Sequence, residues 1–382
     1  MRVFLFLIFK LMIKNFSNFL TEKIDIDTNI IWFSISNKYI ITNDFLKSLI
    51  LNKIDSNKYP LNQFFSEINE IEPENLKTIL KDIDSLLKEC NTESKNKTLK
   101  ELIIKDNKSN HYSKFKFNKR VVKIEYSNKD LRNLIDPKFA HLKCDDKEQI
   151  VYNIQEKNKR IYLYKQGKFM GHWDASELHE FQGKMSMELT SFFHDMQDSD
   201  WTAVFHGSTL SQKNKCLMLT GDSGNGKSSL STILMANNFS LIADDFSPMS
   251  YDRLHYNFPS AISIKEGFYS TAKNLFKSFD KLKEYYINDI KGNVKYLPAD
   301  NDELILSNRC NKVINVRFGI DLKNEIKIVN KGQALEKILP DSWISNDINH
   351  AKSFIDWVKS SLFYDLNYND NDSMLKMIKD IL

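Results

Sequence analysis

Cysteine is scarce in this chain: four in 382 residues, Cys90, Cys144, Cys216 and Cys310, set far apart. None shows metal-ligand spacing, which argues against a cysteine zinc site and leaves free thiols in a reducing cytosol as the simplest reading. A strong excess of one charge is lacking too. Lysine and arginine number 54 against 50 acidic residues, a net charge of +4, too small to argue by itself for nucleic acid or an anionic membrane as partner. Nor is there a membrane-length apolar run. The N-terminal apolar segment (1–21) contains Arg2, Lys10 and Lys14, and its longest uncharged stretch, 3–9, is too short to cross a bilayer, so no stable membrane insertion is expected. It also lacks a small-residue cleavage site; a signal peptide is the lesser alternative, and a natural start at Met12 is another. Glycine is thin as well, at 11 residues, yet three of them, Gly221, Gly224 and Gly226, fall within six positions.

What is present is 42% hydrophobic residues and a mean hydropathy of −0.43, the balance of a soluble globular chain with room for two or three domains. The expected location is cytoplasmic. Around the clustered glycines the sequence reads Gly221-Asp222-Ser223-Gly224-Asn225-Gly226-Lys227-Ser228. Two glycines with four residues between them, then Lys and Ser, fit the phosphate-binding loop. The flanks supply the context, because 215–220 is an apolar run of strand length and 229–236 has helical character. Glycines let backbone N–H groups close around phosphate oxygens, and the following helix adds the positive end of its dipole. Gly221, Asp222, Ser223, Gly224, Asn225, Gly226, Lys227 and Ser228, with Ser229 after them, are therefore the expected ATP-binding set. Lys227 would reach the β- and γ-phosphates, and the Ser228 hydroxyl would sit on Mg²⁺.

Downstream, Phe239-Ser240-Leu241-Ile242-Ala243-Asp244-Asp245 is an apolar strand ending in two carboxylates, where such folds hold Mg²⁺ or a catalytic base. Adjacent residues on a strand point to opposite faces, so Asp244 and Asp245 are expected to have different duties. Upstream, Trp201-Thr202-Ala203-Val204-Phe205 delivers His206 just before Gly207. This succession, in motif, order and spacing from His206 to Asp245, resembles the catalytic domain of the HPr kinase/phosphorylase family, a bacterial Ser/Thr protein kinase fold related to phosphoenolpyruvate carboxykinase. The resemblance implies an α/β P-loop kinase domain in which Lys227 and Ser228 are the loop lysine and Mg²⁺-binding serine and His206 is the active-site histidine. It further implies that Asp244 takes the proton from the acceptor serine and that Asp245 binds metal or orients the base. Two departures count. The family has Glu where this chain has Ser229, and its Arg-Gly-rich signature is echoed only loosely, and too far along, by Val316-Arg317-Phe318-Gly319-Ile320-Asp321. The expectation is kinase chemistry without phosphorolysis, on a substrate other than HPr.

Residues 22–90 read as a separate small α+β domain. Segments 23–35 and 38–42 are β-rich, Asn43 is placed to cap a helix, and Pro60 and Pro73 open two more. Paired strands followed by three helices, with the stretch from Trp32 to Asn43, resemble the winged-helix PqqD-like domains, which clasp a leader peptide along a strand edge; 30–35 and 39–42 are the candidate edges. A packing or dimerisation module is the alternative, and a homo-oligomer stays open. Residues 91–120 turn to Lys, Asn and Ser and read as a linker with a helical island at 99–104; an RNA contact through Tyr112, Phe115 and Phe117 is the lesser reading. The catalytic domain is expected over 121–382, with a hairpin around Lys165-Gln166-Gly167 and helices near 334–339, 351–364 and 373–382 covering its sheet. Lys265 and Lys295 are candidates to stabilise charge on a transferring phosphoryl group, whereas His172 and Trp173 default to packing.

Taken together, the residues point to an ATP- and Mg²⁺-dependent kinase acting on a Ser or Thr hydroxyl of a peptide or protein, in a peptide-modification setting. An ATP-binding regulatory or assembly module and a small-molecule kinase are the alternatives.

Overall fold

The structure is a computed structural model that describes residues 18–61, 64–93, 111–287, 289, 292–299 and 304–382. The apolar residues 1–16 and the helical island at 99–104 lie outside the described residues. The chain is mixed α/β, with five sheets among the described residues, and it divides into two compact units. One holds the described residues before 97 with Val329–Pro340 and Ile344–Ser360; the other holds those from 97 to Ile328 with Asp341–Trp343 and Ser361–Leu382.

In the first unit β1 (Phe19–Asp25), β2 (Thr28–Phe33) and β3 (Lys38–Thr42) form an antiparallel sheet with β2 in the middle. Asn29-Ile30-Ile31-Trp32-Phe33 has no polar alternation, the pattern of a strand covered on both faces, and all six residues of β2 are buried. Ile31 and Phe33 join a core with α1 (Asp44–Ile54) and α3 (Pro73–Cys90). Asn43 caps α1 as expected, accepting from the Leu46 N–H at 2.8 Å, and Pro73 opens α3, which buries Leu76, Leu80, Ile83 and Leu87 at helical spacing. The helix expected from Pro60 forms only at α2 (Phe65–Glu70).

Two expectations fail in this unit. Helices Lys331–Ile338 and Ile348–Ser360 do not cover the catalytic sheet. Instead, the first touches all three strands of the N-terminal sheet and the second touches β1. The physical reason is the apolar second face of that sheet, which requires a cover; Tyr39 of β3 meets Phe354 edge-on at 5.3 Å. The contiguous 121–382 domain is thus interrupted by two segments that complete the N-terminal unit. Segment 30–35 is also no edge, because β2 pairs on both sides, while 39–42 lies on an outer strand.

The second unit starts inside the expected linker. There β4 (His111–Phe117) pairs along its whole length with β5 (Arg120–Tyr126), and Ser113, Phe115 and Phe117 point inward. Phe115 is 1% exposed and Phe117 8%, so they are core residues and not an RNA-facing surface. The sheet continues through β6 (Ile150–Lys157), β7 (Arg160–Lys165) and β8 (Lys168–Asp174). Between β7 and β8, Gln166 and Gly167 both have positive φ, 50° and 76°, as a two-residue type I′ hairpin turn requires. Helix Leu178–His194 packs Phe181, Met185, Leu189 and Phe193 into the core of this sheet.

The remaining layer positions the glycine-rich loop. β9 (Trp201–Phe205) is buried throughout and leads past His206 into β10 (Ser208–Gln212), which turns back into β11 (Lys215–Thr220). A six-stranded sheet runs in the order β12 (Ser240–Ala243), β10, β11, Lys312–Phe318, Leu362–Tyr368, Glu325–Ile328. Strands β11, Lys312–Phe318 and Leu362–Tyr368 are mutually parallel, so their carboxyl ends share one edge, the usual ligand side of an α/β sheet. Helix Asn371–Ile381 does cover this sheet, burying Met374 and Ile378 in its core. Among the described residues no helix is long and apolar enough to cross a membrane.

Candidate active site

The loop leaves β11 through Gly221, whose φ is 137°, and enters helix Lys227–Met235 through Gly226, whose φ is 90°. A side chain at Gly221 would meet the Val316 carbonyl oxygen at 2.7 Å, and one at Gly226 would crowd Phe318 and the Tyr368 hydroxyl at 3.3 Å. Both positions therefore need glycine for backbone angle and for space. The helix begins without a side-chain cap and without an acidic residue in its first turn. Its first N–H groups have no partner within the helix and its dipole is positive at that end, the arrangement that receives an anion.

Lys227 is 7% exposed. Its Nζ donates to the Gly221 carbonyl at 2.5 Å and to the Asp222 carbonyl at 3.2 Å. Burial lowers its pKa, against the opposing pull of Asp245 and Asp244. The ammonium is thus folded onto its own loop, held there by carbonyls rather than by a carboxylate.

The two aspartates occupy unlike surroundings, as the strand geometry predicts. Asp244 is 3% exposed; Ser208 donates to one of its oxygens and Ser228 to the other, at 3.5 Å. Burial, with the charge of Asp245 beside it, pushes its pKa up to about 7, and the two seryl hydroxyls and Lys227 pull the other way. Asp245 is exposed and left-handed, with φ 60°, a conformation that is uncommon and costly for a residue other than glycine. Its carbonyl lies 3.3 Å from His206 Nδ1. A carbonyl can only accept, so Nδ1 carries the proton there and, in the neutral ring, Nε2 keeps its lone pair.

These groups meet at a cleft of about 170 Å³ lined by His206, Ser223, Gly224, Gly226, Lys227, Ser228, Ser229 and Asp245, and by Ser263, Ile264 and Lys265. Asp244 does not line the cleft but touches Ser228, which does; Gly221, Asp222 and Asn225 support the loop without lining it. Sequence reasoning missed Ser208, Ser263 and Ile264. The signal for Ser263 was available, since strand Ile262–Lys265 buries Ile262 and Ile264 and turns Ser263 and Lys265 to the other face. Of the two candidate lysines, only Lys265 reaches the cleft; Lys295 lies over the rings of Tyr269 and Phe279 at 5.5 and 5.1 Å. His172 stacks near Phe169 and Trp173 packs on Phe181, both away from the cleft.

Chemically, the arrangement combines an anion-receiving helix start and loop, two cations, and a buried carboxyl that titrates near neutrality. Among the described residues no three His, Cys, Asp or Glu side chains converge on a metal position. Ser228 and Asp245 nevertheless bring oxygen donors to the cleft, the ligand type of Mg²⁺, a hard cation that commonly takes one or two carboxylates and completes its shell with water and substrate phosphates.

No protein-family model matches this chain, and no curated protein matches it. Among solved structures, the Hpr(Ser) kinase/phosphatase from Coxiella burnetii is similar over 47% of this chain and 93% of that chain, at 12% sequence identity and a TM-score of 0.23. A superposition at that level carries no argument about fold or activity.

Proposed function

We propose that this chain is an ATP-dependent kinase that transfers the γ-phosphoryl group to a Ser or Thr hydroxyl of a peptide or protein. The observation that carries the reading is Asp244, a buried carboxyl just past the end of β12, in contact with Ser228 and with its pKa raised to about 7. A general base works best when its pKa lies near the operating pH. A loop that only gripped nucleotide would need no such group. In this reading the loop amides and Lys227 hold the phosphates, and Lys227 leaves the Gly221 and Asp222 carbonyls to do so. His206 and Lys265, which both line the cleft, offset charge on the moving phosphoryl group. Asp244 accepts the proton from the acceptor hydroxyl. Asp245, with Ser228, would hold Mg²⁺, which when bound would supply positive charge to offset that of the phosphates.

For the acceptor, the outer strand edge at 39–42 supports a peptide segment added as a further strand to the N-terminal sheet, with affinity from main-chain hydrogen bonds. The test is transfer of label from γ-labelled ATP to candidate peptides. Labelled seryl or threonyl product supports the kinase. Tight ATP binding with no transfer to any protein, peptide or small hydroxyl compound would reduce the chain to a nucleotide-controlled module.

A further inference from the structure

The Phe318 side chain is a large apolar group left 51% exposed at the carboxyl end of a strand parallel to β11. It adjoins the glycine loop through backbone and side chain alike. The Phe318 N–H donates to the Asn225 carbonyl at 3.3 Å, and its Cβ is one of the two atoms that a side chain at Gly226 would crowd. Tyr368, 2% exposed, braces the ring with centroids 5.2 Å apart and planes at 55°. The neighbouring Gly319 N–H is fixed to the Tyr368 carbonyl at 3.1 Å. An aromatic ring held this firmly, and still half open to solvent, is built to receive something.

The sheet order says what. Asp244 follows β12, two strands to one side of β11, while Phe318 ends the strand next to β11 on the other side. A triphosphate whose terminal group lies beside Asp244, His206 and Asp245 must direct its other end towards Phe318. Three strand intervals of about 4.8 Å separate β12 from the Phe318 strand, about 14 Å in all. That is of the same order as the distance from the terminal phosphorus to the base in an extended nucleoside triphosphate. The geometry points to Phe318 as the stacking platform for the purine base of the nucleotide whose phosphates the glycine loop holds. This inference rests on the nucleotide reading above and extends it to the base. Stacking reads a π-face rather than a hydrogen-bond pattern, so ATP and GTP are accepted alike.

Calorimetric titration of the full chain with MgATP, MgGTP and magnesium tripolyphosphate tests it, using the natural protein, Phe318→Ala and Phe318→Trp. Phe318→Ala weakens both nucleotides on the order of 5- to 150-fold, the usual range for loss of one base–aromatic stack, and leaves tripolyphosphate unchanged; Phe318→Trp restores nucleotide affinity. Unaltered nucleotide binding by Phe318→Ala overturns the platform and leaves the phosphate loop standing, as it would if the ring served a protein partner. Equal losses for nucleotide and tripolyphosphate also overturn it, by making Phe318 a mere support for the loop. A natural protein that binds none of the three ligands refutes the nucleotide reading, and the platform with it.

Discussion

The Ser228 hydroxyl faces the Asp244 carboxylate across 3.5 Å, joining the helix that follows the glycine loop to the end of β12. On the proposed reading, this contact ties the phosphate-holding and proton-accepting halves of the site together. Replacing Asp244 with Asn keeps the shape and an oxygen for Ser208 to donate to, but removes the base. Turnover is expected to fall on the order of a hundredfold to ten-thousandfold, with MgATP affinity largely kept. Steady-state kinetics alongside calorimetry check this; a variant with normal turnover removes Asp244 from that role and transfers the duty to Asp245, which lines the cleft.

The same carboxyl governs stability against pH. Burial pushes its folded pKa up to about 7, above the ordinary aspartate value of 3.8. Below both values the group is protonated in either state and imposes no penalty. As pH rises from about 4 the unfolded chain releases its proton first, so stability declines, and the decline levels off above pH 7. Asp244→Asn lacks this penalty. In unfolding experiments without nucleotide, its advantage over the natural protein should grow between pH 4 and 7 to about 1–4 kcal/mol. A difference that does not vary with pH would show that the carboxyl is not raised.

Lys227→Ala leaves the loop amides in place but removes the cation now folded onto Gly221 and Asp222. A charge-assisted contact to phosphate is worth about 1.5–3 kcal/mol, so MgATP affinity should fall roughly 10- to 150-fold. Undiminished binding in calorimetry would mean that the loop grips no phosphate.

The site was legible because its residues lie close in sequence. Strand, glycine loop, helix and acidic strand end fall within 215–245, and local pattern places each of them. What escaped was long-range pairing. The register of strand Ile262–Lys265 that brings Ser263 into the cleft, and the packing that sets Phe318 beside Gly226, depend on residues about 40 and 90 positions from the loop. The β4 strand was hidden by composition, since the lysines alternating with Ser113, Phe115 and Phe117 resembled a solvated linker while the period of two was there to be read. The placement of Lys331–Ile338 and Ile348–Ser360 was beyond local pattern altogether. An amphipathic helix announces that it needs an apolar surface, and not which of two sheets will supply it.

That last placement changes what truncation can test. Removing the N-terminal residues to probe a peptide clasp would strip β1–β3 from two helices that pack on them and expose Phe354 and Trp357, now 0% and 1% accessible. A loss of activity after such a deletion would therefore report unfolding as readily as loss of substrate. A point change isolates the packing. Phe354 meets Tyr39 edge-on at 5.3 Å, and neither residue lines the cleft. Phe354→Ala should cost about 3–5 kcal/mol, the usual range for emptying a buried aromatic position, seen as a lower midpoint in urea unfolding. Well below that midpoint, MgATP affinity should match that of the natural protein. An unchanged midpoint would mean that helix Ile348–Ser360 does not hold the N-terminal sheet, and the truncated chain would then become a fair test of the clasp.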